Sequence, residues 1–339
     1  MVVKTNFKMD IRKLAKLISG IESREKSALQ ELSDLVNDMG PSGGNVRVIG
    51  ITGPPGAGKS TIVDGMIKIL RQNGAKVGVV AIDPSSPFSG GAILGDRIRM
   101  QEHASDKGVF IRSVGSRGSH GGLSRATRDI VRAISAFRFD YVIVETVGVG
   151  QTELDIMEIA DATIVVLVPE SGDMIQTMKA GLLEIADIFV VNKADRAGAE
   201  QMQSFLKGMF DGGAGFDAEA IKHHGMDAVK GKRAGDGTPI REIPVLLAEA
   251  NKGVGLAELM DVVKEKFEFI KTDSVIKARK QKLRLQEFLE ICTEEFKARL
   301  AEAMERDKKL KILAAEIETG KKNSYEALKV IDKLVRFGK

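Results

Sequence analysis

A single cysteine, Cys292, stands in a chain of 339 residues. That scarcity excludes an internal disulfide and any cysteine-rich metal site, and it fits a reducing compartment. No apolar run approaches the roughly 20 residues that a membrane-spanning helix needs. Neither sign of charge dominates, since 51 Lys and Arg stand against 47 Asp and Glu, interspersed along the chain. This balance leaves no electrostatic footprint for nucleic acid or for a membrane surface. Internal repeats and low-complexity tracts are also missing. What remains is ordinary for a globular protein, 43% hydrophobic and 29% charged. The length suits one large domain with extensions, or two domains.

The N-terminus places Lys4, Lys8, Arg12, Lys13 and Lys16 around Phe7, Ile11, Leu14 and Ile18, in the manner of a transit peptide. Asp10 interrupts the pattern, serines are few, and Ile21-Glu22-Ser23-Arg24-Glu25 follows at once with acidic residues. A docking helix in a cytoplasmic, non-secreted protein is expected instead.

The most informative stretch runs from Val46 to Thr61. A β-branched strand breaks at Gly53-Pro54-Pro55-Gly56-Ala57-Gly58-Lys59-Ser60-Thr61, then passes into Ile62–Leu70 with helical apolar spacing. The break fits G-x-x-x-x-G-K-[ST]. Its glycines let consecutive backbone N–H groups turn inward as an anion nest, and the positive end of the new helix points at the same place. Lys59 is expected to reach the β- and γ-phosphates of a nucleoside triphosphate, and the Ser60 hydroxyl to ligate Mg²⁺.

Around this stretch the elements alternate. Residues 1–40 read as two helices, and Met39-Gly40-Pro41-Ser42-Gly43-Gly44 ends them with turn residues. Strands are expected at 46–52, 76–82, 109–113, 140–145, 162–168, 187–192 and 243–248, mostly as continuous apolar runs. Helical patterns lie between them, so the fold class is α/β, a doubly wound and mostly parallel sheet with helical extensions at both ends. Residues 203–242 read as a short helix and a surface loop. The adjacent His223-His224 within it has no metal-ligand spacing and reads as surface histidine. From Ser274 long helices take over. Leu285, Leu289, Cys292, Phe296, Leu300 and Met304 form one apolar stripe, and Asn323-Ser324 is expected to cap a last helix carrying Tyr325, Leu328, Ile331 and Val335. Spacing alone leaves open whether the stripe packs on its own core or on a second copy of the chain.

A strand ending in Asn192-Lys193-Ala194-Asp195 reads as N-K-x-D. A carboxylate at Asp195 can accept from guanine N1–H and the N2 amino group together, a pairing adenine cannot offer. Asn192 would support the loop and the base edge, and the Lys193 stem would lie over the ring. Tyr141–Glu145 is another apolar strand, ending in a carboxylate suited to hold Mg²⁺ through water or to polarise the nucleophile. It runs into Thr146-Val147-Gly148-Val149-Gly150-Gln151, where glycines let the backbone approach a γ-phosphate. Asp83 ends a further strand, and strand C-termini converge on the ligand crevice in such sheets. Asp96, in Gly95-Asp96-Arg97, reads equally well as a turn residue or a functional carboxylate.

Together G-P-P-G-A-G-K-S-T at 53–61, A-I-D-P-S-S-P at 81–87, G-A-I-L-G-D-R-I-R-M at 91–100, R-G-S-H-G-G-L-S at 117–124, E-T-V-G-V-G-Q at 145–151 and N-K-A-D at 192–195 form one ordered set. Over residues 45–270 the chain resembles the MeaB/ArgK family of GTPases, metallochaperones for adenosylcobalamin-dependent acyl-CoA mutases such as methylmalonyl-CoA mutase. The resemblance implies a GTPase domain at 45–272, between an N-terminal helical extension at 1–44 and a C-terminal dimerisation arm at 273–339. It implies GTP/GDP and Mg²⁺ as ligands, a mutase as partner, a homodimer, and adenosylcobalamin held by the partner proteins. Asp83, Asp96 and Glu145 match the family's Mg²⁺ and switch carboxylates, and Gln151 joins the catalytic set. Residues 170–179 match a third switch that responds to the mutase, with Lys179 at its functional lysine. The family's last guanine loop reads S-A followed by a small or polar residue. Here it is Glu249-Ala250-Asn251, whose Ala250 N–H is expected at guanine O6.

The implied activity is a slow GTPase, with Lys59, Ser60 and its Mg²⁺, Asp96 and Glu145 supplying position and charge. No arginine finger can be picked out, so completion of the site by a partner, worth about 10³–10⁵ in rate, is expected. The rival readings are a nickel-insertion GTPase, which wants a Cys/His cluster, and an ATP-dependent kinase of the same fold, which lacks N-K-x-D. A signal-recognition type GTPase would want D-T-A-G in place of Glu145-Thr146-Val147-Gly148.

Overall fold

Seven apolar segments become seven strands: β1 (Arg47–Thr52), β2 (Val77–Asp83), β3 (Val109–Gly115), β4 (Tyr141–Glu145), β5 (Ala162–Leu167), β6 (Ile188–Asn192) and β7 (Val245–Ala248). Each lies within two residues of its expected position. They form one sheet in the order β3-β2-β4-β1-β5-β6-β7, with every neighbouring pair parallel. Every residue of β4, β5 and β6 is buried, as continuous apolar strands require when both faces are covered. The computed structural model describes residues 10–40, 46–83, 100–103, 105–115, 125–146, 152–169, 182–210, 243–272 and 274–334.

Three aspartates set the register at the N-terminal edge of the sheet. Asp140, just before β4, accepts from the Lys76 N–H that leads into β2 at 2.7 Å. Asp161, just before β5, accepts from Val48 N of β1 at 2.9 Å. Asp187, just before β6, accepts from Thr163 N of β5 at 2.9 Å and also pairs with Lys266. Each carboxylate satisfies a backbone donor that no ladder partner reaches, which pins one strand start to its neighbour. On the same edge, Arg47 donates to the Tyr141 hydroxyl at 2.8 Å and lies over the rings of Tyr141 and Phe267.

Helices fill the connections: α1 (Ile11–Glu22), α2 (Lys26–Met39), α3 (Lys59–Gln72), α4 (Arg125–Ala136), α5 (Thr152–Ile159), α6 (Leu182–Ile185), α7 (Ala199–Phe210) and α8 (Leu256–Thr272). The Asp10 side chain caps α1 by accepting from Arg12 N at 2.9 Å and Lys13 N at 3.2 Å. The other face of α1 buries Leu14, Leu17, Ile18 and Ile21 in the same core as Ile130, Val131 and Ile134 of α4. Each such side chain contributes about 1.5–3 kcal/mol. The N-terminal segment therefore docks on the sheet domain. Of residues 203–242, those after Phe210 and before Ile243, including His223 and His224, lie outside the described residues.

The chain divides into two compact units, Met1–Thr272 and Asp273–Lys339. The second consists of α9 (Ser274–Arg306), α10 (Lys308–Glu318) and α11 (Ser324–Leu334). Asp307 caps α10 through Lys309 N at 2.8 Å and Leu310 N at 3.1 Å. Asn323 and Glu326 form a reciprocal capping box at the start of α11, as the Asn-Ser pair promised. Leu313 and Ala327 are buried here, whereas Leu285, Leu289, Cys292 and Phe296 of the expected stripe are exposed. No helix among the described residues is long and apolar enough to cross a membrane.

Candidate nucleotide-binding site

Six residues join β1 to α3, and two of their glycines are obligatory. Gly53 has φ +137°, and a Cβ there would lie 2.1 Å from the Val166 carbonyl oxygen of β5. Gly58 has φ +89°, and its Cβ would lie 2.3 Å from Asn192 Nδ2. Any side chain at either position would meet backbone or the buried amide, and the left-handed conformation disfavours it again. The turn closes through Ala57 N donating to Pro54 O at 3.2 Å, and α3 opens with Ile62 N donating to Gly58 O at 3.0 Å. The loop thereby aims its backbone and the positive end of a 14-residue helix at one place.

Lys59 and Ser60 are both 6% exposed. Lys59 Nζ donates to Gly53 O at 2.8 Å and Pro54 O at 3.0 Å, so its ammonium lies along the rim of the cradle. Ser60 Oγ donates to Glu145 Oε1 at 2.6 Å. That contact follows from sheet register, because Glu145 at the end of β4 sits opposite Ile51 of β1. A hydroxyl and a carboxylate at this separation are hard oxygen donors suited to Mg²⁺ with the remaining sites left to phosphate and water. The residues present thus fit the ion. Ser60 would hold it directly and Glu145 would hold its water, and the ion's contribution when bound is neutralisation of phosphate charge. Among the described residues no cluster of three or more His, Cys, Asp or Glu could hold a metal unaided.

At the far end of the crevice, Asn192 closes β6 and is 3% exposed. Its Nδ2 donates to Ala57 O at 2.8 Å, and its Oδ1 accepts from Ala250 N at 3.1 Å. One carboxamide therefore ties the phosphate loop to both base-side loops. The Ala250 N–H, expected at guanine O6, is engaged by Asn192 in this structure. Lys193 takes a left-handed φ of +58°, which turns the chain so that Asp195 stands exposed beyond it. Ala194 N donates to Ala248 O at 3.0 Å, holding the Asp195 loop against the one that carries Glu249. Asn251 lies in the short helical turn Ala250–Lys252.

Pro54, Pro55 and Gly56 lie in the loop between β1 and α3, Thr61 is the third residue of α3, and Asp83 is the last residue of β2. Asp96, Gln151 and Lys179, with the segments 117–124 and 170–179, lie outside the described residues. Two contacts had no warning in the motifs. Thr146 Oγ1 donates to Thr52 Oγ1 at 2.8 Å in full burial, linking the ends of β4 and β1. A lone polar residue ending the aliphatic run Ile49-Gly50-Ile51-Thr52 was the available signal. His103 Nε2 lies 2.8 Å from Asp64 Oδ1, one turn beyond Ser60 on α3. No sequence pattern joins that pair.

A family model described as "Methylmalonyl Co-A mutase-associated GTPase MeaB" matches residues 14–305. The chain belongs to the MeaB family. A Pyrococcus abyssi relative is 46% identical over 275 residues, covering 81% of this chain and 78% of its own. The GTPase ArgK of Escherichia coli is 42% identical over 182 residues, covering 54% of this chain and 55% of ArgK. A solved structure, "LAO/AO transport system kinase", superposes with a TM-score of 0.56 over 96% of this chain and 99% of that one. At 22% identity that likeness speaks for the fold alone. The family model and the named relatives are GTPases, and the seven-stranded parallel sheet with its loop between β1 and α3 is the P-loop fold.

Proposed function

We propose that this chain hydrolyses GTP to GDP and phosphate with Mg²⁺, and that its nucleotide state gates adenosylcobalamin loading onto a B12-dependent acyl-CoA mutase, protecting or reactivating that enzyme. The observation that carries the nucleotide reading is the Asn192 carboxamide, which binds Ala57 of the phosphate loop and Ala250 of the base loop at once. That arrangement has a use when one ligand spans both ends, a triphosphate at Lys59 and a purine at Asp195. The description of the family as mutase-associated supports the partner.

In this reading Lys59 leaves the Gly53 and Pro54 carbonyls for the β- and γ-phosphates. Ser60 and Glu145 hold the ion and its water, joined by Asp83 and Asp96, and Gln151 orients the attacking water. Asp195 accepts from guanine, with Lys193 over the ring and Asn192 holding the loops. Lys179 belongs to the segment that responds to the mutase. The helical arm from Asp273 makes a homodimer through the exposed stripe on α9, and the cobalamin stays on the partner proteins. The test is GTP turnover by the full chain with and without the cognate mutase. Acceleration by the mutase is expected, and unchanged turnover counts against the partner assignment.

A further inference from the structure

The loop after β7 carries two features that the GTPase reading does not use. Glu249 Oε2 accepts from Lys252 Nζ at 2.5 Å, with the carboxylate side chain 22% exposed and the lysine 58%. The backbone builds this pair. Glu249 and Val254 form an isolated antiparallel bridge, with Glu249 N donating to Val254 O at 3.1 Å. Inside that bridge Lys252 N donates to Glu249 O at 2.9 Å, which turns residue 252 back over residue 249. Gly255, at φ +78°, would place a Cβ 2.3 Å from Leu247 O, so the turn admits no simple substitute there.

This turn abuts the base-reading loop. Glu249 lies between Ala248, which accepts from Ala194 N, and Ala250, which donates to Asn192. Glu249 is thus one residue from each of the two backbone groups that tie its loop to the loop carrying Asp195. Left alone, Glu249 would repel Asp195. Left alone, Lys252 would be drawn toward Asp195, whose field its ammonium already feels. Resting on the guanine reading above, we propose that Glu249 and Lys252 are a mutually neutralising pair whose role is to keep Asp195 as the one carboxylate open to the base. Lys252 is then a positioning residue for nucleotide specificity. Its ammonium is held above the ordinary lysine value, first by the Glu249 hydrogen bond, and Asp195 adds to the same field.

The consequence is reciprocal. Removing either partner exposes Asp195 to the other, and removing both exposes it to neither. The experiment is a double-mutant cycle of Lys252→Ala and Glu249→Ser in the full chain, titrated with GDP and with inosine diphosphate, which lacks the 2-amino group. Each single variant is expected to bind GDP about two- to fivefold more weakly, the range for an exposed ion pair. Each should also narrow the preference for GDP over inosine diphosphate, because Asp195 no longer offers both oxygens freely. The double variant is expected to return to wild-type affinity and preference. Melting without nucleotide, measured alongside, separates any folding loss, and Lys252→Gln repeats the arm with a longer stem. Losses that add in the double variant, or a single variant indistinguishable from wild type, overturn the proposal while leaving the guanine reading intact. A wild-type chain that binds ADP as tightly as GDP overturns both.

Discussion

Asn192 shows how much one side chain can decide. Its carboxamide is buried and satisfies a carbonyl and an N–H from loops 135 and 58 residues away in sequence. Asn192→Ala would strand both groups, and each unsatisfied buried partner costs about 1–3 kcal/mol. We expect unfolding free energy, read from urea denaturation, to drop by about 2–4 kcal/mol and GDP binding to weaken with it. Gly58→Ala tests the same contact from the other side. A methyl group 2.3 Å from Asn192 Nδ2, on a backbone at φ +89°, forces the loop open. Loss of GDP binding by calorimetry with the secondary structure retained by circular dichroism is the expected result. N-K-x-D revealed that Asn192 matters, but not that it reaches Ala57. Periodicity and motif spacing report what a residue type can do, whereas a contact across 135 residues depends on how the sheet brings two strand ends together.

At the scale of elements, strand positions were readable because buried parallel strands are continuous apolar runs. Their order was not, since nothing local says which neighbour a strand takes, although Arg112 and Ser113 mark β3 as less buried than β4, β5 and β6, in keeping with its place at the edge. The aspartates before β4, β5 and β6 hold part of that information. Asp161→Ala removes the acceptor of Val48 N, and a loss of about 1–2 kcal/mol in unfolding free energy is expected. A second anchor, between α3 and the start of β3, responds to acid. Arg71 Nε and NH2 donate to Asp106 at 2.8 and 2.9 Å, and Gly108 N donates to the same carboxylate at 2.8 Å. The Arg71 guanidinium, and then the Gly108 N–H, hold the Asp106 carboxyl below the usual carboxylate range. A carboxylate depressed in this way adds stability above its unfolded pKa and loses it as pH falls through the folded value, hence below about pH 4. Partial exposure keeps the contribution to at most about 1 kcal/mol. The urea midpoint of the wild type should therefore fall more steeply than that of Asp106→Asn between about pH 5 and pH 3.

For the whole molecule, the second unit raises the question of partners. Leu285, Phe288 and Leu289 are each more than half exposed, and Phe296 is 39% exposed, all on α9. A solitary chain gains nothing by presenting such a stripe to water. In the proposed homodimer it is covered, so Leu289→Asp with Phe296→Asp should sediment as a monomer in analytical ultracentrifugation and still bind GDP. Binding that fails along with dimerisation would mean that the nucleotide site depends on the second copy. The amphipathic spacing made this face legible in the sequence, but the occupant was not, because a stripe specifies only that something apolar covers it.

The three aspartates before β4, β5 and β6 stand at the end of the sheet opposite the crevice. Strand alignment is thus fastened away from the loop between β1 and α3 and from the Asp195 and Glu249 loops, none of which joins the contacts that hold neighbouring strand starts together. A grafted loop with different base preference would inherit a scaffold whose alignment it cannot disturb.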